Sequence, residues 1–477
     1  MAPLKVIIIG GGLAGACLAN GLLNKSAGRV DVKIFERDEE GAARGGYQIR
    51  LGAYALTGFK TCLTEQQYQD LLPKFGRSGG VVSSAPCIFR PSDLKVMVDL
   101  SKAPMYEKSA PIARGLLRDY LQAPLRKQKV IQYRKKFIRY EVLGGDGAGQ
   151  SKIRVHFADG TSEDCDILVS AEGSGSKANR QIGLDNIVED NTPGHGSYLG
   201  KCHLSWSVLQ SLPKQLLEKG TIYTGNSKAM VFAAVYMPAC LTPQGQGAVA
   251  QSAGAPEKPF DYDEEQASLF FGLGWYDGPP DEELRKIQDK KAFMKQTLSD
   301  ANFHPDFHKL VDAVDNDDLI TTPKRFAKPD TPVDWREKAL KKNQGRSDRS
   351  IANPRVWLMG DAIHPMLPSR GMGANNAIRD TADALGPLLE LAESLERNGR
   401  ITDEEVKAQL NVYEKSMIPR AFTWVKKSSS QQLPNLDSFQ GWCIILGLRC
   451  ALFAIGGVLK FLRLFGWEPT DDAPELQ

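Results

Sequence analysis

An α/β fold, in which a parallel-sheet domain is interrupted by a β-rich domain and closed by C-terminal helices, is predicted by three observations. A β-branched run at 5–9 ends in glycines, helical apolar spacing follows over 13–23, and a second strand-like run lies at 30–35, which is the outline of a βαβ unit. From about 196 to 276 the chain turns β-rich and aromatic. A short apolar run at 355–359 then leads into two long helical patterns, 374–397 and 402–427.

The intervening elements follow in order. An amphipathic helix is expected over 113–125 and strands over 130–140 and 152–157, with Asp159-Gly160 as a tight hairpin into a strand at 164–170. Strands are expected at 197–208, 221–223, 229–237 and 268–276. Gly, Pro, Ala and Gln dominate 242–259, the composition of a surface loop. Helices are expected at 281–298 and 307–314, and the polar, Pro-containing stretch 324–354 reads as a long connection. The first domain is thus assigned 1–75, 101–185 and 350–430. The β-rich domain takes 76–100 and 186–330, and an apolar segment occupies 438–467.

The bulk composition narrows the function. The 477 residues carry 60 Lys plus Arg against 57 Asp plus Glu, a net charge of +3, and this balance gives no reason to expect nucleic acid. None of the eight cysteines falls in a Cys-x-x-Cys or zinc spacing, so neither a metal site nor a disulfide framework is expected. The apolar stretch 6–21 lacks a basic leader and carries phosphate-loop glycines, so it reads as strand and helix rather than a signal peptide, and a cytoplasmic location is expected.

Gly10, Gly12 and Gly15 stand between the first strand and its helix. The first permits the tight turn, the second lets the backbone approach a pyrophosphate, and the third lets helix and strand pack closely. The helix N-terminus offers free N–H groups to the phosphates. Glu36 ends the second strand, where an acid accepts hydrogen bonds from ribose hydroxyls. This Rossmann-like pattern serves both NAD and FAD. The stretch Gly360-Asp361-Ala362-Ile363-His364-Pro365, continued through Pro368 and Gly371-Met372-Gly373-Ala374-Asn375-Asn376, favours FAD. Asp361 follows a strand and can hold a ribityl hydroxyl, and the free N–H groups opening the next helix can stabilise negative charge on a reduced flavin. The structural alternative is a capped strand-to-helix turn without a ligand.

With these residues the chain resembles the single-component FAD-dependent monooxygenases of the para-hydroxybenzoate and salicylate hydroxylase superfamily, and within it the fungal natural-product hydroxylases and epoxidases. The resemblance covers about 4–425. It adds a middle motif, Asp166-Ile167-Leu168-Val169-Ser170-Ala171-Glu172-Gly173-Ser174-Gly175-Ser176. It implies that Glu36 binds the AMP ribose and Asp361 the ribityl chain. Gly373, Ala374 and Asn375 would lie against the flavin ring, with Pro368 beside its C4a. Arg114 and Arg50 match arginines that contact the cofactor, with Arg50 and Pro368 nearest the chemistry; the alternative for either arginine is a surface salt bridge. Glu172 stands where the family has an aspartate that helps bind FAD and NAD(P)H, and Asn179, followed by Arg180, stands where it has an arginine. These departures bear on whether NADH or NADPH is the reductant.

The implied chemistry is reduction of FAD by NAD(P)H and oxygen transfer through a flavin C4a-hydroperoxide. The acceptor would be a hydrophobic aromatic or polyene secondary metabolite. Phe232, Tyr236, Phe270, Phe271, Trp275 and Tyr276 are candidate walls for it, or ordinary sheet core. No residue is marked as a base for a phenolic substrate; His203 and His364 read as structural. An FAD-dependent reductase of a prenyl or polyene chain is the alternative enzyme, and a non-catalytic flavin module the alternative to an enzyme.

The apolar stretch 441–463 approaches the roughly 20 residues of a membrane span. Its Ile, Leu, Phe and Val residues favour insertion by about 3–5 kcal/mol, against which Arg449 costs about 2.5–3.5 kcal/mol. Three readings stay open: a span, a helix lying on the membrane with Arg449, Lys460 and Arg463 at the headgroups, and a cover over the catalytic domains.

Overall fold

A computed structural model describes residues 2–42, 48–76, 87–99, 110–144, 151–190, 192–237, 262–279, 281–321, 324–344, 348–429, 435–436 and 438–466. The predicted loop 242–259 lies outside them.

The fold is mixed α/β. Five parallel strands form the first sheet: β1 (Leu4–Ile9), β2 (Val30–Phe35), β7 (Ile131–Gln132), β11 (Ile167–Ser170) and β19 (Val356–Leu358), in the order β19-β11-β1-β2-β7. All of β1 except Lys5 is buried, as parallel strands covered on both faces must be. The chain leaves β1 for β2 on one side and later inserts β11 on the other. The topological switch point, where such sheets bind ligands, therefore lies between β1 and β11.

Two smaller pairings frame this sheet. β3 (Gln48–Leu51) runs antiparallel to β6 (Ala110–Ala113), and β12 (Ile187–Glu189) to β18 (Arg325–Ala327). β8 (Phe137–Leu143), β9 (Lys152–Phe157) and β10 (Ser162–Cys165) make an antiparallel trio.

The second large sheet has seven strands: β4 (Cys87–Phe89), β5 (Val96–Asp99), β13 (Gly196–His203), β14 (Thr221–Gly225), β15 (Ala229–Tyr236), β16 (Ser268–Trp275) and β17 (Leu319–Ile320), ordered β17-β13-β16-β15-β14-β4-β5. One face packs on its own core with Phe307, Leu310 and Met294. Helices Gly373–Asn398 and Asp403–Ser429 pack on the first core, and a third, Phe439–Leu464, follows.

Several expected elements differ. The strand expected at 197–208 ends at His203, because Ser205 accepts the Val208 N–H and caps a helix, Trp206–Ser211. The stretch 164–170 is divided between two sheets, β10 and β11. The helix expected over 281–298 breaks into Asp281–Leu284 and Lys290–Asp300, the second capped by Asp289. The connection 324–354 holds β18 and the helix Trp335–Lys342, where Trp335 and Ala339 reach the core despite the polar composition.

Candidate functional site

The turns after β1, β2, β11 and β19 meet at one sheet edge, since parallel strands end on the same side. Gly10 has φ +104°, and a Cβ there would fall 2.3 Å from the Ala171 carbonyl oxygen, so the first and middle motifs touch backbone to backbone. A Cβ on Gly15 would fall 2.1 Å from the Gly10 oxygen, the close helix–strand approach expected of it. A Cβ on Gly12 would meet nothing within 4 Å. Gly12 caps helix Leu13–Lys25, which has no side-chain cap and no acid in its first turn. Its leading N–H groups can therefore serve an anion. Glu36 is held beside this loop: its carboxylate accepts from Gly11 N (2.8 Å) and Asp38 N (3.0 Å), with lone pairs to spare for hydroxyls.

The third motif closes the ring. A Cβ on Gly360 would lie 3.8 Å from Ala14 Cβ, which sets this turn against the first helix. Asn179 Nδ2 donates to the Ala362 carbonyl (2.8 Å), which joins it to the middle motif. Each motif thus touches the other two. Asp361 is exposed to solvent yet walled by protein, as a carboxylate on the floor of an open groove would be. Desolvation raises its pKa, with help from Asp380 and against His364 and Arg114. Arg114 opens helix Arg114–Lys127 directly after β6, and Arg50 lies on the paired strand β3. The site of a Cβ on Gly373 is 3.9 Å from Asp361 Oδ1, and helix Gly373–Asn398 starts without a side-chain cap or an early acid.

Asn375 is buried and ties three segments. It accepts from Gly52 N (2.9 Å) and donates to the carbonyls of Arg50 (2.9 Å) and Gly371 (3.1 Å). Ala374 is half-buried beside it, and Pro368 is exposed at the start of the turn Pro368–Arg370. Glu172 turns inward: its carboxylate accepts from the Ser170 and Ser176 hydroxyls (2.9 and 2.8 Å) and from the N–H groups of Lys177 and Ala178. It shapes its own loop. Arg180 is exposed.

A buried polar cluster behind the groove went unmarked in the sequence reading. Asp380 accepts from Gly360 N (2.8 Å) and Arg420 Nη2 (2.7 Å) and lies 2.7 Å from His364 Nε2. Arg420 also reaches Asp383 and Asn376. Burial pushes the Asp380 carboxyl up, but His364 and the Arg420 guanidinium outweigh it and hold the group below the usual range. His364 is fully buried, in keeping with a structural role. Asn376, Asp380 and Asp383, at i, i+4 and i+7 on one helix, were the available signal.

The aromatic strands of the second sheet divide by period two. Phe271 and Trp275 point into that sheet's core, so they do not wall a site. Tyr236 is buried where Gly76 approaches its ring, and its hydroxyl donates to Lys74 O. On the opposite face Tyr223, Phe232, Gly272 and Leu199 stand in one cross-strand row, with Phe270 nearby; the four side chains of this half-buried patch are Tyr223, Phe232, Leu199 and Phe270. β15 packs against β3 and β6, which brings this sheet to the groove. Burial, with Tyr276 adding, pushes the Tyr223 hydroxyl up to about 12, and Arg370 of the Pro368 turn opposes it. Tyr276 packs edge-on to His195.

An FAD fits these residues. A glycine leaves space at the head of an uncapped helix, Glu36 and Asp361 adjoin the two helix starts, and the buried Gln48 Oε1 on β3 has no partner among the described residues. A family model described as an FAD binding domain matches residues 293–403, which include the Gly360 motif. The chain is 26% identical over 411 residues to the dual O-methyltransferase/FAD-dependent monooxygenase CTB3 of Cercospora beticola, a match over 80% of this chain. It spans only 42% of that relative's length. It is 26% identical to the FAD-dependent monooxygenase thnD of Trichoderma harzianum, over 89% of this chain and 92% of that one. In fold it is similar to a crystal structure of a putative FAD-containing monooxygenase from Photorhabdus luminescens, at TM-score 0.63 and 22% identity over 89% of this chain and 96% of that one. The chain thus carries a match to an FAD binding domain, is similar in sequence to FAD-dependent monooxygenases, and shares its fold with a solved FAD-containing monooxygenase.

Proposed function

We propose that the chain uses FAD, NADH or NADPH, and dioxygen to hydroxylate or epoxidise a hydrophobic aromatic or polyene molecule. The observation that carries this reading is the groove in which three motifs touch pairwise, set against a half-buried apolar sheet face. Bound FAD would supply hydride acceptance and oxygen activation. Gly12 and the Leu13 helix would hold the pyrophosphate, Glu36 the adenosine ribose, and Asp361 with Arg114 the ribityl chain. Charge on the reduced ring would be stabilised by the N–H groups opening the Gly373 helix. Arg50 and Pro368 would flank the ring, and Tyr223, Phe232 and Phe270 would exclude water from the acceptor.

A lipid-soluble acceptor suits the C-terminal helix, which we read as lying on a membrane from the cytoplasmic side. Phe439–Leu464 is long and apolar enough to cross a membrane, yet its Ile445, Leu448 and Leu452 pack on Ile88, Val98 and Tyr223. Tyr223 thus joins the helix to the apolar row. The test is oxygen uptake coupled to NAD(P)H oxidation against a panel of phenols and polyenes. Substrate-dependent uptake with an oxygenated product supports the proposal; reduction of the acceptor without uptake favours a reductase.

A further inference from the structure

We infer that the cavity between the C-terminal helix and β5 seats the phosphate of an anionic phospholipid, and so sets how the helix meets a bilayer. This rests on the membrane reading above. The cavity has a volume of about 210 Å³. Its cationic lining is Arg90 and Lys95 from the β4–β5 hairpin and Arg449 from the helix; its apolar lining includes Met97, Trp442 and Leu446. Arg90 and Lys95 share a single carboxylate, Asp93 (3.2 and 3.3 Å). Arg449 donates to the carbonyls of Met97 (2.5 Å) and Val96 (3.1 Å), which fix its position without cancelling its charge. Among the described residues, three cations against one anion leave a net charge of +2, which attracts the single negative charge of a phosphate diester and offers it several N–H donors.

The helix around the cavity supplies the acyl-chain surface. Its packed stripe ends at Leu452, and beyond it Phe453 is 86% exposed and Leu464 82% exposed. This stretch is mostly apolar and open, with Lys460 and Arg463 its two charges, and an apolar surface of that extent needs an apolar partner. The part beyond Leu452 reaches about 20 Å at 1.5 Å per residue, short of the ~30 Å hydrocarbon core. A full span would also carry Arg90, Lys95 and β5, the last strand of its sheet among the described residues, toward lipid, where charges and strand-edge groups are costly. A position lying along one leaflet keeps the cavity's cations at headgroup depth, lets Lys460 and Arg463 snorkel there, and sets Trp442, 49% exposed, near the interface.

Flotation of the full-length flavin-bound protein tests this, with vesicles of phosphatidylcholine alone and of phosphatidylcholine with phosphatidylserine at about 3:1. Wild type is expected to prefer the anionic vesicles. The Arg90→Gln/Lys95→Gln double variant should lose that preference by roughly ten- to thirtyfold while still binding phosphatidylcholine. Asp93→Asn should strengthen it. Phe453→Glu/Phe461→Glu should abolish flotation on both. Retained flavin colour and an unchanged circular dichroism spectrum show that each variant is folded, and keep this readout separate from enzyme activity. Equal binding of the double variant and wild type to anionic vesicles would overturn the proposal. So would release of wild type by inorganic phosphate at constant ionic strength, self-association that buries the helix in place of flotation, or no flotation at all.

Discussion

Asn179 donates its side-chain amide to the Ala362 carbonyl, 183 residues away and 2.8 Å distant, and to Asn186 Oδ1 at 2.9 Å. A residue that looks in sequence like a lost arginine is therefore a buried clamp between the middle and third motifs. Asn179→Ala should strand two buried acceptors and cost about 1–3 kcal/mol for each. Asn179→Arg should be worse, because a longer, charged side chain must fit where a fully buried amide sits. Thermal denaturation of both variants checks the order.

The glycines of the first loop separate binding from folding. Gly12→Ala should fold normally, since its φ is −69° and the added methyl meets nothing, yet weaken FAD binding by tenfold or more in order of magnitude by filling the phosphate approach. Gly15→Ala should fail to fold stably, because its methyl would press on the Gly10 carbonyl. Melting temperature and flavin fluorescence titration separate the two.

Asp361→Asn should move stability and binding in opposite directions. The folded pKa of Asp361 is raised, so the group favours folding below its unfolded pKa and loses that contribution as pH rises through the folded value. At neutral pH the amide should melt slightly higher without cofactor. It should bind FAD about tenfold less well, having lost a charged hydrogen bond. Melting curves with and without FAD decide this.

Asp380 carries the opposite sign. Its folded pKa lies below the unfolded one, so its stabilisation is present above the ordinary carboxylate value of about 4 and is lost as pH falls below it. Arg420→Met should cost about 3–5 kcal/mol at neutral pH by leaving a buried carboxylate short of its partner. It should also shrink the fall in stability between neutral and acid pH. Melting temperature against pH, in both proteins, reads the effect.

The parallel sheet and its loops were legible because local signals and tertiary packing agree there: β-branched runs, glycines at turns and long amphipathic helices all point one way. Gly15 performs the close approach its spacing implies. Less could be read where side chains act at a distance. Trp335 lies in a polar stretch yet is buried in the core of the first sheet. Phe270 and Phe271 adjoin in sequence but face opposite sides of the sheet, a distinction that needs the register. The Asp380–Arg420 pair joins two helices: the spacing of Asn376, Asp380 and Asp383 marks one polar face, and no local pattern names Arg420 as its partner. Arg449 read as a membrane penalty or a headgroup ligand; it is bound by the carbonyls of Met97 and Val96, far away in sequence.

The central claim is that the Gly12 loop and the Asp361 turn clasp a single FAD. Flavin fluorescence titration of wild type, Gly12→Ala and Asp361→Ala, each with an unchanged circular dichroism spectrum, measures it most directly. The account predicts saturable binding by wild type and marked loss in both variants. Equal, tight binding by all three proteins, or none by wild type, would contradict it.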